Sequence, residues 1–229
     1  MNDPLPSVSS ALPPLSDRSG VTDAVRAQIL ATEHWSLLAT RSMAWNEIFS
    51  RASMYITVLS AAVVALALVA QATAFGPNFR LFALFVLPVV LLVGLATILR
   101  LGAANGEDFW LLMGMNRLRH GYLELAPELE PYFVTESHDD PRSVFASYGM
   151  GASMSLSRIL AGTPNLVAAI NILVFGVFVA LVAQTLGASD QVALVVGLVA
   201  AVLAAIGLAA LAFQSIGRGM RMHHPRFPR

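Results

Sequence analysis

Polar and apolar positions in this chain alternate on the scale of whole helices. Four stretches, Met54–Phe75, Leu81–Leu99, Leu166–Leu186 and Val192–Phe213, contain no ionisable residue. They are bounded by Arg51, Arg80, Arg100, Arg158, Asp190 and Arg218. At ~1.5 Å of rise per residue, each stretch is long enough as a helix to cross a ~30 Å hydrocarbon layer. The pattern predicts an all-α integral membrane protein with four transmembrane helices arranged as two hairpins, at 54–101 and 163–214. Gly76-Pro77-Asn78 is the expected turn of the first hairpin and Gly187-Ala188-Ser189-Asp190 that of the second. Thr163 is the expected N-cap of the third span, with Pro164 at the first helical position.

Outside the spans the period shortens to that of amphipathic helices. Residues 21–53 predict a cytoplasmic helix leading into span one, with Leu30, Leu37, Ala44 and Ile48 on one stripe. Within 102–162, Leu111, Met115, Leu118, Tyr122 and Leu125 form a narrow seam, while Asn116, Arg117, Arg119, His120 and Glu124 fall on the other face. Pro127 stops that helix. The seam is a candidate cytoplasmic interaction face, and packing against the 21–53 helix is the plainer use of it. Residues 1–20 read as a disordered, Pro- and Ser-rich tail, and 215–229 as a basic cytoplasmic tail.

Charge adds an orientation. Thirteen of the fourteen arginines lie before span one, between spans two and three, or after span four; Arg80 is the exception. The excess of positive charge on the cytoplasmic side of membrane proteins predicts that both termini and most of the soluble mass are cytoplasmic. With 56% hydrophobic and 12% charged residues, the chain's natural solvent is the lipid bilayer. Zero net charge argues against nucleic acid as a partner. The absence of Cys removes disulfides, thiolate metal sites and Cys nucleophiles.

Candidate chemistry is sparse, and no cofactor or metal is expected. Glu128, Glu130, Glu136, Asp139 and Asp140 make an acidic stretch. A cation site at His138, Asp139 and Asp140 is disfavoured against a solvated, self-repelling loop. Gly149-Met150-Gly151 lacks the lysine and third glycine of a phosphate loop and reads as a linker. His223-His224, flanked by Pro225 and Pro228, reads as part of an unstructured tail. An enzyme would have to work through His120, Glu124, His138, Asp139 and Asp140, with no catalytic constellation visible among them.

Helix packing is the stronger signal. Ala193, Gly197, Ala201, Ala205 and Ala209 place a small residue at every fourth position of span four, and Gly176 and Ala180 of span three supply a matching face. Packing within the hairpin is favoured over a contact between subunits. Asn171 is a candidate hydrogen-bonding residue inside span three, and Pro88 with Gly94 a candidate hinge in span two. No span shows a polar face suited to a wide aqueous path.

The run Trp35-Ser36-Leu37-Leu38-Ala39-Thr40-Arg41-Ser42 through Glu47 and Arg51, with Met113-Gly114-Met115-Asn116-Arg117, resembles uncharacterised bacterial four-span membrane proteins. In layout, a cytoplasmic helix before a hairpin and helices after it, the chain is also similar to the SLATT class of two-span effectors. That resemblance implies a membrane-acting effector and transfers no site residue. The function expected is a non-enzymatic inner-membrane protein that self-assembles as a homo-oligomer and acts as a pore-type or membrane-perturbing effector. The alternative is a membrane scaffold or regulatory subunit that recruits a cytoplasmic protein partner.

Overall fold

The computed structural model describes residues 21–148, 162–221 and 224–229. Helices α1 (Asp23–Thr73), α2 (Pro77–Leu125), α3 (Pro141–Tyr148), α4 (Thr163–Thr185) and α5 (Asp190–Arg221) follow in order, with a 3-10 turn at Pro127–Tyr132 between α2 and α3. No strand occurs among the described residues. Helices α1, α2, α4 and α5 are each long and apolar enough to cross a membrane, as in a multi-pass membrane protein. The expected tail at 1–20 and the linker at Gly149–Gly151 lie outside the described residues.

Two helices run on past the apolar stretches they contain. α1 runs unbroken for 51 residues from the amphipathic segment through the first apolar stretch. α2 continues for 49 residues across Gly102-Ala103-Ala104-Asn105-Gly106, because no proline or competing cap interrupts its backbone hydrogen bonding there. Pro88 lies inside it and the helix continues on both sides.

The first turn is shifted upstream of its expected place. Ala74 and Phe75 adopt left-handed backbone, φ 44° and 58°, and Pro77 is the first residue of α2, a position where its missing N–H costs nothing. The second turn is a Schellman ending: Gly187 sits at φ 95°, its N–H reaches Gln184 O at 3.1 Å, and Ala188 N–H reaches Ala183 O at 3.0 Å. Ser189 then caps α5 through Val192 N–H at 3.5 Å. At the start of α4 the cap is Gly162, one residue earlier than expected, so Thr163 and Pro164 are already helical.

The chain divides into two compact units. The first takes in the described residues of Met1–Arg41, Phe109–Ser153 and His223–Arg229; the second those of Ser42–Asp108 and Met154–Met222. In the first, Leu112, Met113 and Val144 form a small core with Phe109 against it. In the second, Ile48, Ala52, Tyr55, Ala62, Val90, Leu101, Ala104 and Val167 pack together. Large apolar side chains stay outside this core, with Leu194 70% and Leu198 65% exposed, as lipid-facing residues are.

Candidate functional sites

The second unit is built on close helix contacts. α4 and α5 meet where Gly176 and Gly197 face each other: a Cβ on Gly176 would lie 3.0 Å from both Ala201 Cβ and Gly197 O, and one on Gly197 would lie 2.9 Å from Ala180 Cβ. Ala193 and Gly197 are buried, Ala201 and Ala205 half-buried, and Ala209 exposed, so the small-residue stripe serves this hairpin along its first half. Tyr55 O–H donates to Asn171 Oδ1 at 3.3 Å inside the same unit. Asn171 also occupies the space a side chain on Gly94 would need, and Tyr55 borders it. Gly94 therefore serves close packing here.

On the outward side of α1, exposed polar residues stand among exposed apolar ones, Val64 and Leu68 included. Ile48, Ala52, Tyr55, Ala62 and Ala70 are buried. About half a turn round the helix, Asn46, Ser53, Thr57, Ser60 and Gln71 are all exposed. Thr57 O–H is satisfied by Ser53 O at 2.9 Å, while Gln71 lines a shallow recess with Leu66, Ala67, Ala70, Phe75 and Phe79. Sequence reasoning missed this polar stripe because Ser, Thr and Gln carry no charge and vanish into a high mean hydropathy. The signal was their spacing of four, three and eleven from Ser53 onward.

Where the first apolar stretches begin and end, an ion network gathers. Arg100 holds Glu47 by two bonds, Nε to Oε1 at 3.0 Å and Nη2 to Oε2 at 2.8 Å, and reaches Glu107 at 2.9 Å. Arg51 Nε adds a bond to Glu47 at 2.8 Å. Hydrogen bonds from Arg100, then Arg51, push the Glu47 carboxyl down to about 2.

The first unit carries the densest polar chemistry. Asn116, fully buried on α2, donates from Nδ2 to His138 O at 2.9 Å and accepts at Oδ1 from Arg119 (2.8 Å) and Ser147 (3.0 Å). Beside it Asp139 is also fully buried. It accepts from Arg117 Nε (2.7 Å), Arg226 N–H (2.9 Å) and Phe227 N–H (2.8 Å). Burial raises its carboxyl, but these donors outweigh burial and hold it below the ordinary range. Asp140 caps α3 by accepting from Ser143 N–H and Oγ at 3.1 and 2.8 Å, with Pro141 opening the helix.

These contacts correct the picture of a solvated acidic loop: paired donors make burial of Asp139 favourable. They likewise correct the unstructured tail, since 224–229 is anchored on Asp139; His224 is exposed and His223 lies outside the described residues. Of the five residues an enzyme would need, Asp139 and Asp140 hold backbone. His120 and His138 come within 6.0 Å, ring to ring, and His120 Nε2 is 3.7 Å from Glu124. No group of three metal-binding side chains forms among the described residues.

Of the expected seam, Met115 is buried, while Leu111, Leu118, Tyr122 and Leu125 are half-buried. Tyr122 meets the His34 ring at 6.0 Å, and Gly114 lies against Leu37, so α1 covers part of this region of α2. Leu112 and Asn116, beside the seam, are the more deeply buried.

Fold and sites together define an all-helical protein with four candidate membrane spans. No protein-family model, curated protein or solved structure matches the chain.

Proposed function

We propose that this is a non-enzymatic protein of the bacterial inner membrane, with both termini cytoplasmic, that self-assembles into a narrow pore. The observation that carries the reading is the exposed stripe of Ser53, Thr57, Ser60 and Gln71 on α1. Thr57 already bonds Ser53 O within its own helix, but a lipid tail offers no hydrogen bond to the other three, whereas a neighbouring helix or a file of water does. Hydroxyl and amide side chains opposite a tightly packed apolar face suit a helix that lines a confined aqueous path. The small-residue stripe of α5 is a weaker basis for assembly, because its best sites already face α4. The arginine distribution supports the orientation.

The test is native mass measurement in lipid nanodiscs with ion flux in liposomes. A ring of four or more subunits that conducts, and that loses both properties in Thr57→Leu and Ser60→Leu, is the expected result. Leucine at these outward positions suits lipid, so each variant should still insert. A monomeric or dimeric wild type, or flux unaltered by both substitutions, overturns the reading.

A further inference from the structure

The segment 224–229 is held as a bound peptide is held. Arg226 and Phe227 N–H both donate to the Asp139 carboxylate, and Asp139 N–H donates back to Phe227 O at 3.2 Å. Arg229 N–H is directed at the Asp140 carboxylate. Between them stands Pro228, which has no N–H, at the one position where no acceptor is needed. The Phe227 ring lies on the His120 imidazole with centroids 4.3 Å apart and planes 26° from parallel. Arg229 Nη1 sits 3.7 Å from Glu136 Oε1.

The receiving side is built independently of the segment. Arg117 fixes Asp139 from α2, Ser143 fixes Asp140 at the start of α3, and Asn116 holds His138 O. What joins the segment to this surface is two N–H bonds to the Asp139 carboxylate, one N–H directed at Asp140, one main-chain pairing, one ring stack and a long ion pair, while Arg226, Pro228 and Arg229 remain exposed. Contacts of this number and exposure open and close locally without unfolding their surroundings.

We propose that His120, Glu136, Asp139 and Asp140 form a binding site for a short extended peptide of the pattern Xaa-aromatic-Pro-Arg, with the chain's own Arg226–Arg229 as its exchangeable occupant. The ligand class follows from the chemistry: two successive N–H groups for one carboxylate, a flat ring for the imidazole face, a proline that prepays extension, and a cation for Glu136. The proposal stands apart from the pore reading and uses no residue of it.

The probe is a fluorescent hexapeptide, His-Pro-Arg-Phe-Pro-Arg, added to the full chain in nanodiscs. Phe227→Ala weakens the resident occupant, so this variant should bind the peptide at least about tenfold more tightly than wild type. Adding Asp139→Asn to that variant should abolish binding. Should the buried substitution unfold the chain, Phe227→Ala with His120→Ala serves instead, with affinity expected to fall by about tenfold. No binding to Phe227→Ala, or binding unchanged by both second substitutions, overturns the proposal. So does wild-type hydrogen exchange in which the Arg226 and Phe227 amides open only with the α2 core.

Discussion

Tyr55 and Asn171 meet inside the second unit, the Tyr55 hydroxyl donating to Asn171 Oδ1 at 3.3 Å beside the bare backbone of Gly94. Both residues are buried among apolar neighbours, Tyr55 completely, so the bond ties α1 to α4 where few other polar partners exist. Removing the hydroxyl tests its weight. Tyr55→Phe should destabilise the chain by ~0.6–2 kcal/mol, measured by denaturant titration in mixed micelles. Gly94→Val should cost more, because its side chain collides with both partners.

The α4–α5 contact predicts a positional contrast. Gly197→Leu forces the helices apart at Gly176 and Ala180, whereas Ala209→Leu adds an apolar side chain at an exposed site. The first should destabilise by roughly 1–3 kcal/mol or more and the second should fall within about 0.5 kcal/mol of wild type. Thermal unfolding of both in the same detergent checks this.

Acid should weaken the first unit in two stages. Burial holds the His34 and His120 imidazoles below their ordinary value; Arg119 adds to this at His34. At His120, Glu124 and Asp139 oppose burial while His138 reinforces it. A depressed folded value means the unfolded chain takes up protons first, so their contribution is complete above about pH 6.5 and declines below it. Asp139, also depressed, contributes fully above about pH 3.9 and is lost only as pH falls further. Amide exchange across 109–148 between pH 7 and 5 should accelerate in wild type beyond its intrinsic pH dependence. The effect should be smaller in His120→Gln.

Glu47 predicts persistence of charge. Its carboxyl, down at about 2, should stay ionised through pH 4, where an ordinary glutamate is half protonated. Arg100→Gln should raise it toward the ordinary range, and by more than Arg51→Gln does, since Arg100 is the largest cause of the shift and Arg51 the next. Carboxylate infrared bands of the labelled residue would show the titration directly.

How much of this was legible beforehand differs from residue to residue. The four long apolar helices were, because length and unbroken apolarity act through composition alone. The Gly176–Gly197 facing was legible as a spacing, and Gly176 and Ala180 as its matching face. The Ser53–Gln71 stripe was present as a spacing too, but which way a helix turns its faces depends on what packs behind it. Asp139 was not legible: its sequence neighbours are acidic and exposed-looking, and its three donors lie 22, 87 and 88 positions away. Pro141 and Ser143 mark Asp140 as a helix cap, but no local pattern marks Asp139, which grips a distant stretch of chain.

The grip of Asp139 on its neighbours has a consequence for how this chain can vary. Asp139 recognises peptide nitrogens, so it is indifferent to the side chain at position 226 but sensitive to count. Replacing Arg226 leaves the recognised atoms in place. Inserting a single residue between Phe227 and Pro228 shifts Pro228 out of the gap between acceptors and carries Arg229 away from Glu136. Divergent copies of this segment should therefore drift in composition while keeping their length.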